Sequence, residues 1–247
     1  MCPLFRPALN AALEKMRQER GEAHIGPAEQ ELELACNEGG HWAVAEAQTP
    51  PHNQGQSEED VLWRQVGDYA YATAPSVFFQ ANDFMLDELI ETVLDAGGTG
   101  DSALDLYSGV GFFSLPLARR FQTVVSVESS PQAHQLSIRN ASRAGIGNFT
   151  PWCADVRAWM GATGSVSSPA FDLVLLDPPR SGAEPEVMKK LAEWAPQTIV
   201  YVSCDPQTLV RDLAALPARD YRIDRIVGMD LFPQTYHFET VVRVQRR

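Results

Sequence analysis

Hydrophobic and polar positions follow one rhythm up to about residue 74 and another beyond it. Residues 7–20 carry apolar side chains at helical spacing, with Pro7 in the first turn and Gly21 as a stop. Residues 31–36 and 41–45 alternate on either side of Asn37-Glu38-Gly39-Gly40, which is the pattern of a hairpin. Residues 48–60 are polar and rich in Pro and Gly, as a linker is, and residues 61–73 read as further strand. From residue 75 strands and helices take turns. Helix 83–94 leads to strand 102–106, helix 114–121 to strand 123–127, and helix 131–144 to a short strand at 149–152. Strand 171–176, helix 184–194, strand 198–202 and helix 207–215 follow. The last two strands, 221–227 and 238–244, have no helix between them. This alternation predicts an α/β fold whose mostly parallel sheet is covered on both faces and ends in an antiparallel strand. The expected organisation is a small α+β segment over 1–74 followed by an α/β domain over 75–247.

In an open α/β sheet, ligands bind outside the carboxyl ends of the strands. Two of the apolar runs end there in reactive groups, one in Asp177-Pro178-Pro179-Arg180 and the other in Ser203-Cys204-Asp205-Pro206. A carboxylate and a thiol are thereby delivered to one edge.

Composition narrows the setting. The chain has 247 residues, 32 acidic against 20 basic, for a net charge of −12. Such a balance disfavours binding nucleic acid through charge alone, because phosphate contacts require Lys and Arg. No apolar run reaches the roughly 18 residues of a membrane span, and the first residues lack the basic and apolar stretches of a signal peptide. The chain reads as soluble and cytoplasmic, with no membrane partner. Cys2, Cys36, Cys153 and Cys204 are far apart, form no CxxC, and suggest neither a zinc site nor a disulfide framework.

A Gly-rich turn, Tyr107-Ser108-Gly109-Val110-Gly111, follows the strand that ends in Asp105-Leu106. The glycines admit a ligand close to the backbone. The third glycine of the dinucleotide fingerprint is missing, which makes a pyrophosphate less attractive. Glu128 ends the next strand, where a carboxylate takes both ribose hydroxyls of a nucleoside. Two acids and a GxG suit a nucleoside without phosphates, and S-adenosyl-L-methionine, with its positive sulfonium, tolerates acidic surroundings. Asp155 lies where a contact to the adenine amino group falls, and it is equally placed to cap the following helix.

Asp177-Pro178-Pro179 resembles the loop with which amino-directed methyltransferases hold a planar base, but Arg180 stands where those enzymes place an aromatic residue. A thiol and a carboxylate suit a different reaction, methylation of pyrimidine carbon 5. A thiolate adding to carbon 6 makes carbon 5 nucleophilic, and a base then removes the carbon-5 proton. Cys204 is the candidate nucleophile and Glu239 the candidate base. The ordinary alternatives are a buried structural thiol and an exposed residue on an edge strand.

Six ordered motifs resemble the S-adenosylmethionine-dependent RNA uracil-5 methyltransferases, which make 5-methyluridine in tRNA or 23S rRNA. The motifs run from Ser76-Val77-Phe78-Phe79-Gln80 and the Asp105–Gly111 turn through Val127-Glu128 and Asp177–Gly182. They continue with Ser203–Pro206 and the segment from Phe232-Pro233 to His237-Phe238-Glu239, and the likeness covers about residues 61–247. It implies a Rossmann-like class I methyltransferase domain, S-adenosyl-L-methionine as cofactor and RNA, not DNA, as partner. By the same resemblance Gln80, Tyr107, Glu128 and Asp177 line the cofactor site, Cys204 is the nucleophile and Glu239 the proton acceptor.

The chain departs from the family at Ser108, usually Cys, at Phe112, often Asn, and at Asp205, commonly Asn. Many members also carry an N-terminal RNA-binding barrel and a four-iron cluster held by four cysteines. Cys2-Pro3 looks like the last of those ligands. The resemblance therefore implies an N-terminally shortened chain without the cluster. Two alternatives stay open: a remnant that binds the cofactor without turning over RNA, and a methyltransferase acting on another base.

Overall fold

The computed structural model describes residues 7–20, 32–36, 41–46, 61–163 and 170–247. Cys2, Gly21, the turn at 37–40 and the linker at 48–60 lie outside the described residues. The chain forms two compact units, Met1–Phe79 and Gln80–Arg247.

In the first unit, helix α1 (Pro7–Arg20) accompanies two antiparallel hairpins. Strands β1 (Leu32–Cys36) and β2 (Trp42–Glu46) make one, β3 (Leu62–Val66) and β4 (Tyr69–Thr73) the other. The stretch expected as further strand over 61–73 is a pair of strands. Gly67, with φ +52°, turns the chain at Gly67-Asp68, a conformation that side-chain-bearing residues resist.

The second unit holds a seven-stranded sheet in the order β7-β6-β5-β8-β9-β11-β10. Its strands are β5 (Gly100–Leu106), β6 (Phe121–Glu128), β7 (Phe149–Cys153), β8 (Leu173–Leu176), β9 (Thr198–Ser203), β10 (Tyr221–Met229) and β11 (Glu239–Arg246). Strands β5 to β9 are parallel, and β11 alone runs against its neighbours. The α/β fold with an antiparallel C-terminal strand is the one expected. Every side chain of β8 and β9 is buried, as apolar runs covered on both faces must be.

The helices are α2 (Leu86–Gly97), α3 (Ser114–Leu117), α4 (Pro131–Arg143), α5 (Val156–Thr163), α6 (Pro185–Trp194) and α7 (Pro206–Leu213). Proline opens α4, α6 and α7, where its missing N–H costs nothing. Side-chain caps fix two of these starts: Ser130 accepts from the Ala133 N–H, and Asp205 accepts from those of Gln207 and Thr208. Two expectations are corrected here. Residues 83–85 form a 3-10 turn capped by Asn82, and α2 proper begins at Leu86. The helix expected over 114–121 is only the four residues of α3, because Phe121 already belongs to β6 and pairs with Gly100.

The topology concentrates chemistry at one edge. The sheet grows outward in opposite directions from β5, so the crevice of an α/β fold opens between β5 and β8. Parallel strands present their carboxyl ends there, and the reversed β11 presents its amino end.

The Asp205 cap explains how this chain tolerates a change from the commoner Asn, because either side chain accepts from the same two N–H groups. Replacing Asp205 with Asn should leave the thermal midpoint nearly unchanged. Replacing it with Ala should cost about 1 kcal/mol, read by reversible denaturation.

Candidate active site

Residues delivered by five segments meet at this edge. Asp177 follows β8 and accepts a hydrogen bond from Gln80 Nε2 at 3.2 Å, joining positions 97 residues apart. Gln80 itself is 6% exposed, so the amide is committed to the carboxylate rather than to water. Asp105, the penultimate residue of β5, is wholly buried and accepts from the hydroxyl of Ser114. Its second oxygen and the hydroxyl of Ser108 have no hydrogen-bond partner among the described residues.

Cys204 and Glu239 arrive by register. Thr240 of β11 pairs with Ser203 of β9. The residue after Ser203 and the residue before Thr240 therefore leave the ladder at the same level of the same edge. Glu239 is 4% exposed, while Cys204 is half-buried. The bland alternative of an exposed edge residue fails for Glu239, since β11 lies inside the sheet between β9 and β10.

The electrostatics follow from removing carboxylates from water without cations to match them. Burial raises Glu239 to about 7. It raises Asp105 to about 7 as well, against the opposing Ser114 hydrogen bond and with a further push from Glu128. Asp177 is driven well above the carboxylate range by burial, then by Glu239 and Asp105, with the Gln80 bond pulling the other way. Burial also pushes the Cys204 thiol up, and Glu239 and Asp177 add to the rise. The nearby charge of Arg180 opposes the rise. Burial thus favours the protonated forms of Asp105, Asp177, Glu239 and Cys204.

The Gly-rich turn is built around Glu128. One carboxylate oxygen accepts from the Gly109 N–H at 2.8 Å and the other from the Ser130 N–H at 2.6 Å. Gly109 and Gly111 have φ of +55° and +83°. A Cβ on Gly109 would point into open space, whereas one on Gly111 would strike Leu115. The turn is therefore open on one side and tightly packed on the other.

Tyr107 also adopts a left-handed backbone, with φ +63°, and its hydroxyl donates to Glu184 Oε2 at 2.6 Å. Asp155 Oδ1 accepts from the Ala158 N–H at 2.9 Å and so caps α5. Burial and the bond to Glu184 raise the Tyr107 hydroxyl's affinity for its proton, and Asp155 adds to the rise.

The structure thus brings Gln80, Asp177, Cys204 and Glu239 together, and ties Glu128 to the glycine turn. Tyr107 is directed to Glu184, and Asp155 serves as a helix cap at the same edge. Sequence reasoning did not find Ser114 or the apposition of Arg180 to the thiol. It treated Arg180 only as a missing aromatic, although a cation three residues beyond Asp177 was a usable signal. Among the described residues, no group of three or more His, Cys, Asp or Glu is placed to hold a metal ion. No helix among them is long and apolar enough to cross a membrane.

Comparison with known proteins bears on this arrangement. The model of the tRNA (uracil-5-)-methyltransferase family matches residues 57–247. The tRNA (uracil(54)-C(5))-methyltransferase of Pyrococcus abyssi is 37% identical over 186 residues, covering 75% of this chain and 43% of that protein. The 23S rRNA (uracil(1939)-C(5))-methyltransferase of Klebsiella pneumoniae is 38% identical over 182 residues, covering 70% of this chain and 40% of that protein. The crystal structure of the Pyrococcus abyssi enzyme in complex with S-adenosyl-L-homocysteine aligns with a TM-score of 0.66 and 36% identity. That alignment covers 75% of this chain and 44% of the other. The chain spans about 40% of the length of the curated relatives it matches. With the family's model matched across the whole α/β unit and the segment leading into it, the chain belongs to the tRNA (uracil-5-)-methyltransferase family.

Proposed function

We propose that this chain methylates carbon 5 of a uridine in tRNA or 23S rRNA, through a covalent bond between Cys204 and uracil carbon 6. The observation that carries the reading is the Ser203–Thr240 pairing, which sets a thiol and a buried carboxylate side by side at the ligand edge. The names of the relatives, which are RNA uracil-C5 methyltransferases, support it.

The residues fit S-adenosyl-L-methionine. An orphaned carboxylate oxygen on Asp105, the open side of Gly109, and the acids Glu128 and Asp177 suit a cationic nucleoside ligand. Gln80, Glu128 and Asp177 would hold it, with Tyr107 and Asp155 flanking. When bound, it supplies an electrophilic methyl group for carbon 5. The target base must leave its stack, because stacking hides carbons 5 and 6.

The protein's own part has two steps. The Cys204 thiolate forms the S–C6 bond, and the electrons of the C5=C6 double bond move to carbon 5 and the adjoining carbonyl. After carbon 5 has gained its methyl group, Glu239 takes the carbon-5 proton, the double bond reforms and the S–C6 bond breaks. A carboxylate whose affinity for a proton lies near pH 7 suits that role. Arg180, beside the sulfur, favours the thiolate. Cytoplasmic location accords with an RNA substrate.

The direct test gives the protein labelled S-adenosyl-L-methionine with unmodified tRNA and, separately, 23S rRNA. Label should appear in 5-methyluridine and be lost in Cys204→Ala. Cofactor binding without label in either RNA would reject the reading in favour of a binding remnant, and label in another base would reject uracil as the target. Glu239→Gln should still form the adduct but release it slowly, so that a protein–RNA band survives denaturing electrophoresis. The buried acids also shape stability. A carboxyl raised to about 7 by folding contributes stability that is complete below about pH 4 and lost as the pH rises to about 7. Between about pH 5 and about pH 7.5, the thermal midpoint of the cofactor-free protein should therefore fall more than that of Glu239→Gln.

A further inference from the structure

Asp212 lies on α7, is 3% exposed, and faces the loop that runs from Asp177 to Ala183. Its Oδ2 accepts from the Tyr201 hydroxyl at 2.6 Å and from the Ala183 N–H at 2.8 Å. Its Oδ1 accepts from Arg211 Nε at 2.8 Å and pairs with Arg211 Nη2 at 2.7 Å. Arg211 Nη2 then donates to the carbonyls of Ser181 and Ala183. The Thr208 hydroxyl, one turn earlier, is shared between the Asp205 carbonyl at 3.1 Å and the Arg180 carbonyl at 3.3 Å. The backbone at residues 180, 181 and 183 is thus held from α7, the helix whose cap immediately follows Cys204. Gly182, with φ +78°, passes so close that a Cβ would strike both Arg211 and Asp212. This network touches neither the glycine turn nor the Cys204–Glu239 pair. It joins the segment carrying Arg180 to the segment carrying the thiol.

A buried carboxylate is costly unless donors saturate it, and apolar packing would join a loop to a helix at less cost. Here the donors converge on one loop, and what the loop presents is Arg180. We propose that Asp212, supported by Tyr201 and Arg211, is a positioning residue that fixes the Asp177–Ala183 loop so that the charge of Arg180 stays near Cys204. The inference deepens the proposed function by naming what prepares the nucleophile. Its test needs neither RNA nor cofactor, so it succeeds or fails apart from that reading.

The experiment measures the rate of Cys204 alkylation by iodoacetamide against pH, read at that residue by peptide mass spectrometry because Cys153 is also accessible. Arg180→Ala should shift the profile to higher pH and slow alkylation near neutrality by on the order of tenfold, one pKa unit. Tyr201→Phe and Asp212→Asn should shift it the same way, Tyr201→Phe by less. In the Arg180→Ala background neither should add anything, since the loop then has no cation to position. Leu136→Ala, a destabilising change in α4, serves as the control for a general loss of stability and should leave the midpoint in place. Folded Tyr201→Phe and Asp212→Asn with the wild-type profile would overturn the proposal, as would additive shifts in the Arg180→Ala background. Should Asp212→Asn fail to fold, Tyr201→Phe, which removes one hydroxyl, decides the matter alone.

Discussion

One reversed strand governs the chemistry of this molecule. In a parallel sheet only carboxyl ends reach the ligand edge, so the side chains offered there stand at or just past the end of a strand. Because β11 runs the other way, its first residue is placed at that edge and stays within the sheet's interior. Glu239 gains burial from its position between β9 and β10 and proximity to Cys204 from its register. Had β11 been parallel, Glu239 would stand at the opposite end of the sheet.

Burial then sets the protonation state. Glu239 and Asp105 lie close enough to influence Asp177, and the amide of Gln80 and the hydroxyl of Ser114 are neutral donors to Asp177 and Asp105. Neutral donors moderate desolvation without cancelling charge, so these acids keep a raised affinity for their protons. Arg180 is the countercharge acting on Cys204, and its loop is tied down through backbone atoms.

Much of this was legible beforehand because fully apolar strands are easy to read. The runs at 173–176 and 198–203 could only be buried, and the polar residues that end them had to emerge at a common edge. Glycines and prolines marked most of the breaks. Gly67-Asp68 was the available signal for the turn inside the stretch read only as further strand. The excess length assigned to α3 reflects a register choice, since Phe121 is buried equally well by a helix or by the strand that claims it. Side-chain partnerships across long separations were the illegible part. Gln80 meets Asp177, Tyr107 meets Glu184, and Asp212 meets Ala183 only after the sheet has formed. No local pattern encodes such a pair. The motif likeness pointed to Gln80 and Tyr107 without supplying the bonds they make.

The place of β11 in the sheet has a bearing on how the protein is made. This strand comes after β10 in the chain yet separates β10 from the remaining strands. During synthesis β10 emerges first and has no neighbour in the sheet until β11 has arrived and slipped between it and β9. A nascent chain that has folded through β9 already exposes its thiol at the ligand edge but has no acid beside it. Domains generally acquire structure as units while they emerge, and here the unit closes with the strand that carries Glu239. Cys204 is thus in place before Glu239 arrives, and the last strand to be made is the one that completes the edge.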